Sequence, residues 1–342
     1  MSHDQGAIPV LDLGTARQDD GSFSPDFIEQ LRHATHHVGF FQVTGYGASP
    51  GQPERLLDLI RRFFALPLEE RMKLDNRLSP HFRGYTRMGT EVTQGRADAR
   101  EQIDYSPDRA PVTDYPADEP YWLLQGPNLW PDESFPELKP AAMEWAELMS
   151  RVGMDLLRAI AVSLKLPEDY FDEPFQGSPA WMGKLVHYVG GVVEAAGDQG
   201  VGSHADYGFV TLLLQDDIGG LEVLPPGATE WAPVEPIPGA LVVNLGEMLE
   251  VATEGYLVAT IHRVQAPPPG VDRYSVPFFW SPRLDAVIDP VPLPPELQAE
   301  ARGISDDPAN PLLASYGMNM LKGRMRAHPD VTERHYPGLL AR

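Results

Sequence analysis

A chain of 342 residues is long enough for one large domain or two of ordinary size, and its 42% hydrophobic and 22% charged content is typical of globular proteins. The formal net charge of −22 repels phosphate backbones and anionic lipid, so the composition disfavours nucleic-acid and membrane-surface partners. Without cysteine the chain can form no disulfide, thiolate metal site, iron–sulfur cluster or cysteine nucleophile.

The first residues, MSHDQGAIPV, have no basic segment followed by an apolar run, and therefore do not look like a secretory signal. Along the whole sequence no apolar stretch approaches the roughly 20 residues that a membrane helix needs. We therefore expect a soluble, cytoplasmic protein.

The first 180 residues are predicted to be mainly helical. Ser24 followed by Pro25 is typical of a helix start, and apolar spacing predicts helices over residues 56–66 and 143–164. The run from Val38 to Thr44 is rich in β-branched and aromatic residues and predicts a strand.

From about residue 181 the pattern changes to short apolar runs separated by Gly and Pro turns. The predicted strands cover residues 184–189, 210–214, 221–224, 240–243, 259–264 and 274–280, and a last helix is predicted over 311–325. Many short strands at close spacing are typical of a sandwich or barrel of the jelly-roll kind. We predict a single compact α+β domain over residues 1–342, with a mainly helical part (1–180), a jelly-roll core (181–285) and a C-terminal helical segment (286–342).

His204 and Asp206 stand two residues apart before a strand-like run. In extended structure residues i and i+2 point to the same face, so the imidazole and the carboxylate would converge. His262, in another strand-like run, is the best candidate for a third ligand. Two histidines and one carboxylate leave three metal positions open, as in iron(II) oxygenases. A lone His-x-Asp pair is weak evidence, and His262 could equally be a strand histidine bonded to a backbone carbonyl.

Arg273 and Ser275 form a second feature. The sequence Pro267–Gly270 predicts a turn, and in a symmetric hairpin around it His262 and Arg273 would lie nearly opposite each other. Arg273, Ser275 and Phe279 share one face of the returning strand. A guanidinium and a hydroxyl one pleat apart suit a carboxylate. The alternative for Arg273 is a solvated surface charge, against which the neighbouring Ser and Phe favour a pocket wall.

Together these residues resemble the isopenicillin N synthase-like branch of the iron(II)/2-oxoglutarate oxygenases, from about Ile8 to Tyr336. The motifs that follow the family's order are Ile8–Leu13, Val38–Gly45, Arg83–Tyr85, Gly126–Pro131, His204–Asp206, Gln215–Asp216, Gly219–Leu221, His262–Val264 and Arg273–Ser275. The gaps of 58 residues from His204 to His262, and of 11 from there to Arg273, also match the family.

The resemblance implies a double-stranded β-helix (jelly-roll) core and a dioxygenase that uses Fe(II), 2-oxoglutarate and O₂. It assigns iron to the catalytic residues His204, Asp206 and His262. It also implies that Arg273 and Ser275 bind the distal carboxylate of 2-oxoglutarate, with Tyr188 as a further donor, although Tyr188 could equally be a packed core aromatic. The expected reaction is the oxidation of a small molecule, by hydroxylation, with succinate and CO₂ as co-products.

Family position places a set of residues on the wall of the substrate pocket. They are Arg83, Tyr85, Glu91, Val92, Thr93, Lys184, Tyr207 and Phe279. The stretches around Glu91 and Tyr207 resemble parts of the bacterial ethylene-forming enzyme, where the first helps to hold an arginine side chain. A cationic amino acid is therefore one expected substrate, and a natural-product intermediate is the other.

Three residues depart from the family pattern: Val189 replaces a proline, Tyr46 stands where histidine is common, and Glu247 stands where aspartate is common. Two other functions stay open at this point. One is an oxidase of the isopenicillin N synthase type, which uses no 2-oxoglutarate and binds a substrate carboxylate through the Arg-x-Ser pair. The other is a non-catalytic jelly-roll binding protein. No oligomeric state is predicted.

Overall fold

Helices surround two β-sheets in the computed structural model, which describes residues 8–93, 95–191, 199–304 and 311–339. The helices are α1 (Pro25–His33), α2 (Gln52–Phe64), α3 (Leu68–Met72), α4 (Leu138–Ser163), α5 (Asp172–Phe175), α6 (Glu247–Ala252), α7 (Pro295–Gln298), α8 (Tyr316–Ala327) and α9 (Pro329–His335). Among these described helices, none has the combination of length and apolarity needed to span a membrane.

The strands form a large sheet, a small sheet and a separate hairpin. They are β1 (Val10–Asp12), β2 (Phe40–Thr44), β3 (Gly84–Thr86), β4 (Val92–Thr93), β5 (Arg96–Ala97), β6 (Arg100–Tyr105), β7 (Met182–Val189), β8 (Gln199–His204), β9 (Val210–Gln215), β10 (Leu221–Leu224), β11 (Ala232–Pro233), β12 (Leu241–Leu245), β13 (Ile261–Gln265) and β14 (Asp272–Trp280). The large sheet has the order β1-β2-β12-β9-β14-β7-β6-β3, the small sheet has the order β11-β10-β13-β8, and β4 pairs with β5.

Alternation along the strands builds two apolar layers. Val242 of β12 and Val186 of β7 join Val223 and Val264 of the small sheet in a cluster between the two sheets. Val243, the next residue along β12, belongs instead to the main core with α4. Successive side chains of a strand point to opposite faces, so one strand supplies both layers. The result is the α+β jelly-roll architecture that the sequence predicts, with helices packed on the outer face of the large sheet.

The predicted hairpin between His262 and Arg273 is wrong. β13 pairs with β8 and β10 in the small sheet, whereas β14 pairs with β7 and β9 in the large sheet. The proline-rich segment between them is therefore a crossover from one sheet to the other. Three consecutive prolines, 267–269, lack the N–H groups that would continue a ladder, which fits this role. His262 and Arg273 thus face each other across the space between the sheets rather than along a ladder.

The predicted strands after residue 181 all have counterparts in β7, β9, β10, β12, β13 and β14. Several strands were missed, and β6 and β8, with six residues each, are the longest of them. The sequence of β6, REQIDY, is mostly polar, yet all six residues are buried. The last helix begins at Tyr316 rather than at residue 311, because Ser315 caps it and accepts a hydrogen bond from the Met318 N–H (3.4 Å).

Candidate active site

The three predicted metal ligands meet at the edge of the small sheet. His204 ends β8 and lies directly opposite His262 of β13. The Asp206 Oδ1 atom is 3.6 Å from His204 Nε2 and 3.9 Å from His262 Nε2, and one ligand atom from each of the three residues fits within a 4.8 Å span. In the described part of the chain, this is the single group of three such side chains so arranged. Ligands about 2.0–2.2 Å from one shared metal ion would have this spacing.

Hydrogen bonds orient each of these side chains toward a common point. His204 Nδ1 lies 2.8 Å from the Gly202 carbonyl oxygen and His262 Nδ1 lies 3.1 Å from that of Thr260, so both Nε2 atoms are left for a metal. These carbonyls select the tautomer in which Nδ1 carries the proton.

The carboxylate of Asp206 is held in a comparable way. Its Oδ2 accepts hydrogen bonds from Thr211 Oγ1 (2.6 Å) and Asn244 Nδ2 (2.8 Å), which leaves Oδ1 facing the histidines. Burial alone would raise the pKa of Asp206, but His262, His204 and these two hydrogen bonds outweigh it and hold the pKa below its ordinary value. Burial lowers the pKa of His262 to about 4. The site therefore offers neutral imidazole and ionised carboxylate, the protonation states that metal ions require.

Arg273 lies on β14 across from Tyr188 of β7, with only 1% of its surface exposed. Its NH2 group donates to Gln215 Oε1 (3.0 Å), and its guanidinium carbon lies 4.8 Å from the centre of the Tyr188 ring. The Nε and NH1 groups are buried without a hydrogen-bond partner among the described residues. Ser275, one pleat farther along and equally buried, borders the same space.

A cavity of about 410 Å³ between the sheets joins the three metal-ligand candidates to Arg273. The volume is within the range of small-molecule sites. The predicted residues that line it are Glu91, Val92, Thr93, Lys184, Tyr188, His204, Asp206, Tyr207, His262, Arg273, Ser275 and Phe279. The structure therefore brings most of the sequence-predicted site residues to one place.

Comparisons with known proteins identify the family. Residues 8–133 match the N-terminal domain model of the non-haem dioxygenases, described from morphine synthesis, and residues 183–282 match the 2OG-Fe(II) oxygenase superfamily. The chain is 34% identical to the 2-oxoglutarate-Fe(II) type oxidoreductase hxnY of Emericella nidulans over 84% of this chain and 82% of that protein. The chain belongs to the Fe(II)/2-oxoglutarate oxygenases.

Further relatives agree. The chain is 35% identical to the 2-oxoglutarate-dependent dioxygenase frbJ of a Dothideomycetidae species (100% of this chain, 95% of that protein). It is 34% identical to a homoarginine-6-hydroxylase of Oryza sativa subsp. japonica (85% and 90%). A Caulobacter crescentus protein described as a 2OG-Fe(II) oxygenase family member superposes with a TM-score of 0.73 at 29% identity (94% and 99%). A full-length Neurospora crassa protein, solved in complex with alpha-KG, has the same fold, with a TM-score of 0.74 at 23% identity (95% and 98%).

These findings confirm the predicted fold and class: the oxygenase is a 2-oxoglutarate-dependent non-haem iron dioxygenase acting on a small molecule, with Fe(II) and 2-oxoglutarate as cofactors. The donor set at the site agrees with this, since two imidazoles and a carboxylate suit iron(II). The unpaired buried N–H groups of Arg273 likewise suit the far carboxylate of an oxo acid.

Two predicted pocket residues, Arg83 and Tyr85, lie elsewhere in the oxygenase, which corrects that expectation. The Tyr85 hydroxyl donates to Glu101, on the helix-covered face of the large sheet. Arg83 donates to the backbone carbonyls of His81 (2.9 Å) and Leu124 (2.7 Å) and lines a separate small crevice. Both residues flank Gly84 in the short strand β3 at the far edge of the sheet, so neither side chain reaches the iron side.

Ion pairs along one wall of the cavity join the predicted residues Glu91 and Lys184 to three charged residues that were not predicted, Arg100, Asp104 and Arg324. Glu91 binds Lys184 (2.9 Å) and Arg100 (3.0 Å), and Asp104 beneath them binds Arg324 (3.0 Å) and lies 3.6 Å from Lys184. All five side chains are buried. The period-two polar pattern of Arg100, Gln102 and Asp104 was a signal for a strand with one polar face.

Helix α8 supplies further cavity residues that were not predicted, Asn319 and the basic residues Lys322, Arg324 and Arg326. Arg326 is exposed, and it makes no hydrogen bond or ion pair with the described part of the chain. Lys322 and Arg326 are four residues apart in α8, which places both on one face, although the predicted helix ended at residue 325. Only the tertiary fold turns that face toward the cavity.

The three departures from the family pattern have separate surroundings. Glu247 lines the cavity, and its backbone N–H donates to the Asp206 carbonyl (2.7 Å). The Tyr46 hydroxyl donates to the Gly239 carbonyl (2.8 Å), away from the site, and Val189 pairs with Asp272 at the end of β7.

Proposed function

We propose that His204, Asp206 and His262 hold iron(II), and that 2-oxoglutarate binds beside it with its distal carboxylate on Arg273 and Ser275. The observation that carries this proposal is the Arg273 guanidinium, buried in the same cavity with two N–H-bearing nitrogens unpaired. A buried cationic donor without a partner is costly. A bound carboxylate would remove that cost, and the Ser275 and Tyr188 hydroxyls can donate to it as well.

Bound iron would supply the redox chemistry that converts 2-oxoglutarate and O₂ to succinate and CO₂ while oxidising a substrate C–H bond. The chain's own residues have other roles. Thr211 and Asn244 keep the Asp206 carboxylate ionised and oriented. The apolar residues Leu221 and Val264 line the cavity and limit the access of water.

The charges of the cavity favour a substrate that carries a carboxylate. Burial raises the pKa of Glu91, but Arg100 and Lys184 outweigh it and lower the pKa to about 2, so Glu91 is ionised. Lys184 donates to Oε1 (2.9 Å), whereas Oε2, 3.0 Å from Arg100, is buried without a hydrogen-bond partner among the described residues. Glu91 therefore holds two cations, and its Oε2 can also accept a hydrogen bond from a cationic group of the substrate. Arg326 has no hydrogen-bond or ion-pair partner in the described ranges, so its guanidinium could form an ion pair with a substrate carboxylate at the mouth of the cavity.

Amino acids are the first candidates within this class, because relatives 34%, 32% and 32% identical to the oxygenase are named homoarginine-6-hydroxylases. We therefore propose hydroxylation of an amino acid or a similar small carboxylic acid. We further propose that the protein has no nucleic-acid or membrane-surface partner, since its net charge is −22. Location in the cytoplasm stays a prediction.

The test is succinate formation by Fe(II)-loaded enzyme over a panel of homoarginine, arginine, lysine and small aromatic acids, each paired with its carboxamide. At least one acid should raise succinate formation well above the substrate-free rate, and its carboxamide should not. Arg326→Met should raise KM for that acid about tenfold with kcat kept. Arg334→Met, at an exposed position of α9, is the matched control.

Equal stimulation by acid and carboxamide, or an unchanged KM in Arg326→Met, would contradict the proposed substrate class. The absence of any 2-oxoglutarate turnover or binding in iron-loaded protein would contradict the residue assignments themselves.

A further inference from the structure

A second, much smaller crevice lies at the far end of the large sheet. It has a volume of about 20 Å³ and is bordered by Arg83, Ser106, Arg109 and Trp181. β3 and β6 are antiparallel with Gly84 opposite Asp104, so Arg83, just before β3, and Ser106, just after β6, come together beyond the strand ends. A space of this size holds about one water molecule or one monatomic ion.

Two buried hydrogen-bond donors of the crevice, on Arg83 and Ser106, have no acceptor among the described residues. Arg83 is 3% exposed and Ser106 is 1% exposed. Arg83 Nε and Ser106 Oγ are both buried without a hydrogen-bond partner among the described residues. The two atoms belong to residues that line the same space, so a small acceptor placed there could reach both.

The crevice also brings together two guanidinium groups. The guanidinium of Arg83 donates only to the carbonyls of His81 and Leu124, and that of Arg109 only to the carbonyls of Ser178 and Pro179. Neither forms an ion pair with any residue that the structure describes. Burial and the positive charge of Arg324 lower the pKa of Arg83 to about 9, against the opposing effect of the more distant Asp104 and Asp108 carboxylates, so Arg83 stays protonated at neutral pH. A buried cation without a direct counter-ion destabilises the fold, and a bound anion would offset that cost.

We propose that the crevice between Arg83, Ser106 and Arg109 binds one small monovalent anion, which in cells and in ordinary buffers is chloride. Arg83 Nε–H and the Ser106 hydroxyl donate to the ion, and Arg109 contributes positive charge from the open side. The small volume of the crevice favours a monatomic ion over carboxylates and over oxyanions such as sulfate. The site is separate from the iron cavity and requires neither iron nor 2-oxoglutarate.

The experiment is a thermal unfolding series on metal-free, full-length protein at constant ionic strength, with sodium gluconate replaced stepwise by sodium chloride or bromide. A saturable rise in Tm is expected with both halides, of about 2 °C when the halide exceeds its dissociation constant tenfold. Sodium sulfate at the same ionic strength should give no such rise. Bromide-soaked crystals should show an anomalous peak within hydrogen-bond distance of Arg83 Nε and Ser106 Oγ.

Variants place the effect at the crevice. Ser106→Ala should weaken the halide response several-fold and Arg83→Met should abolish it. Ser150→Ala is the control, since that hydroxyl bonds within α4 to the Ala146 carbonyl (2.7 Å) and should respond like the wild type. If Arg83→Met does not fold, the halide response of Ser106→Ala and the bromide peak still test whether an anion binds in the crevice. Identical Tm curves in gluconate and chloride, or a halide response unchanged in Ser106→Ala with no bromide peak, would mean that the crevice holds only water and would overturn the proposal.

Discussion

At the scale of single residues, the orientation of the Arg273 guanidinium depends on both its strand position and a distant partner. The sequence places Arg273 and Ser275 on one face of a strand, and the structure buries both beside the cavity. The partner that orients the guanidinium, Gln215 on the neighbouring strand β9, lies 58 residues away in sequence. That hydrogen bond leaves Nε and NH1 directed to another acceptor, which is the geometric basis of the proposed 2-oxoglutarate site.

Replacing Arg273 with methionine should raise the dissociation constant of 2-oxoglutarate at least about 30-fold. Loss of a buried charge-assisted contact costs about 2 kcal/mol or more, and each 1.4 kcal/mol is about a factor of ten. The measurement is an anaerobic titration of Fe(II)-loaded protein, following the visible charge-transfer band of the chelated oxo acid.

Arg61→Met is the matched control for this titration. The Arg61 guanidinium lies 5.4 Å from the ring of Tyr274, the neighbour of Arg273 that points to the opposite face of β14. That variant should bind 2-oxoglutarate like the wild type. Wild-type affinity in Arg273→Met would remove Arg273 from the site.

At the scale of elements, close packing of α4 on the large sheet positions the strands of the iron side. A Cβ atom built on Gly153 of α4 would lie 2.6 Å from the side chain of Trp280 at the end of β14. The helix therefore approaches the sheet at a distance that only glycine allows. Helix propensity by itself would favour alanine at this position by about 1 kcal/mol.

Gly153→Ala should nevertheless destabilise the protein, because forcing a methyl group into a packed contact costs about 1–3 kcal/mol and outweighs the gain in propensity. Urea unfolding should show a lower midpoint with an unchanged slope. Arg151→Ala, at an exposed position of the same helix, should change the midpoint little. A higher midpoint for Gly153→Ala would mean that Trp280 moves aside without cost.

At the scale of the whole molecule, the proposed iron site links the two sheets. His204 and His262 belong to the small sheet, whereas Thr211 and Asn244, which hold Asp206, lie on strands of the large sheet. A ligand that binds only the folded protein at this junction should stabilise the entire fold, by about 2.7 kcal/mol when its concentration is 100 times its dissociation constant.

Anaerobic addition of Fe(II) and 2-oxoglutarate should therefore raise Tm by about 5–10 °C, and a metal chelator should reverse the rise. His204→Ala should lose the rise, whereas His335→Ala, remote from the cavity on α9, should keep it. An equal rise in His204→Ala would place the metal elsewhere.

The sequence by itself determined the class of fold, most strands after residue 181 and the residue types of the proposed iron and carboxylate sites. These depend on local pattern: i, i+2 spacing puts His204 and Asp206 on one side of the chain, and Arg273 and Ser275 likewise. Tertiary structure alone decided the rest. The crossover between β13 and β14, the burial of the polar strand Arg100–Tyr105 among ion pairs, and the turning of Arg326 toward the cavity all depend on contacts between residues far apart in sequence. Such contacts cannot be read from local sequence patterns. The cost of burying these charged and polar residues is offset by packing and ion pairs with distant parts of the chain, and not by strand or helix propensity.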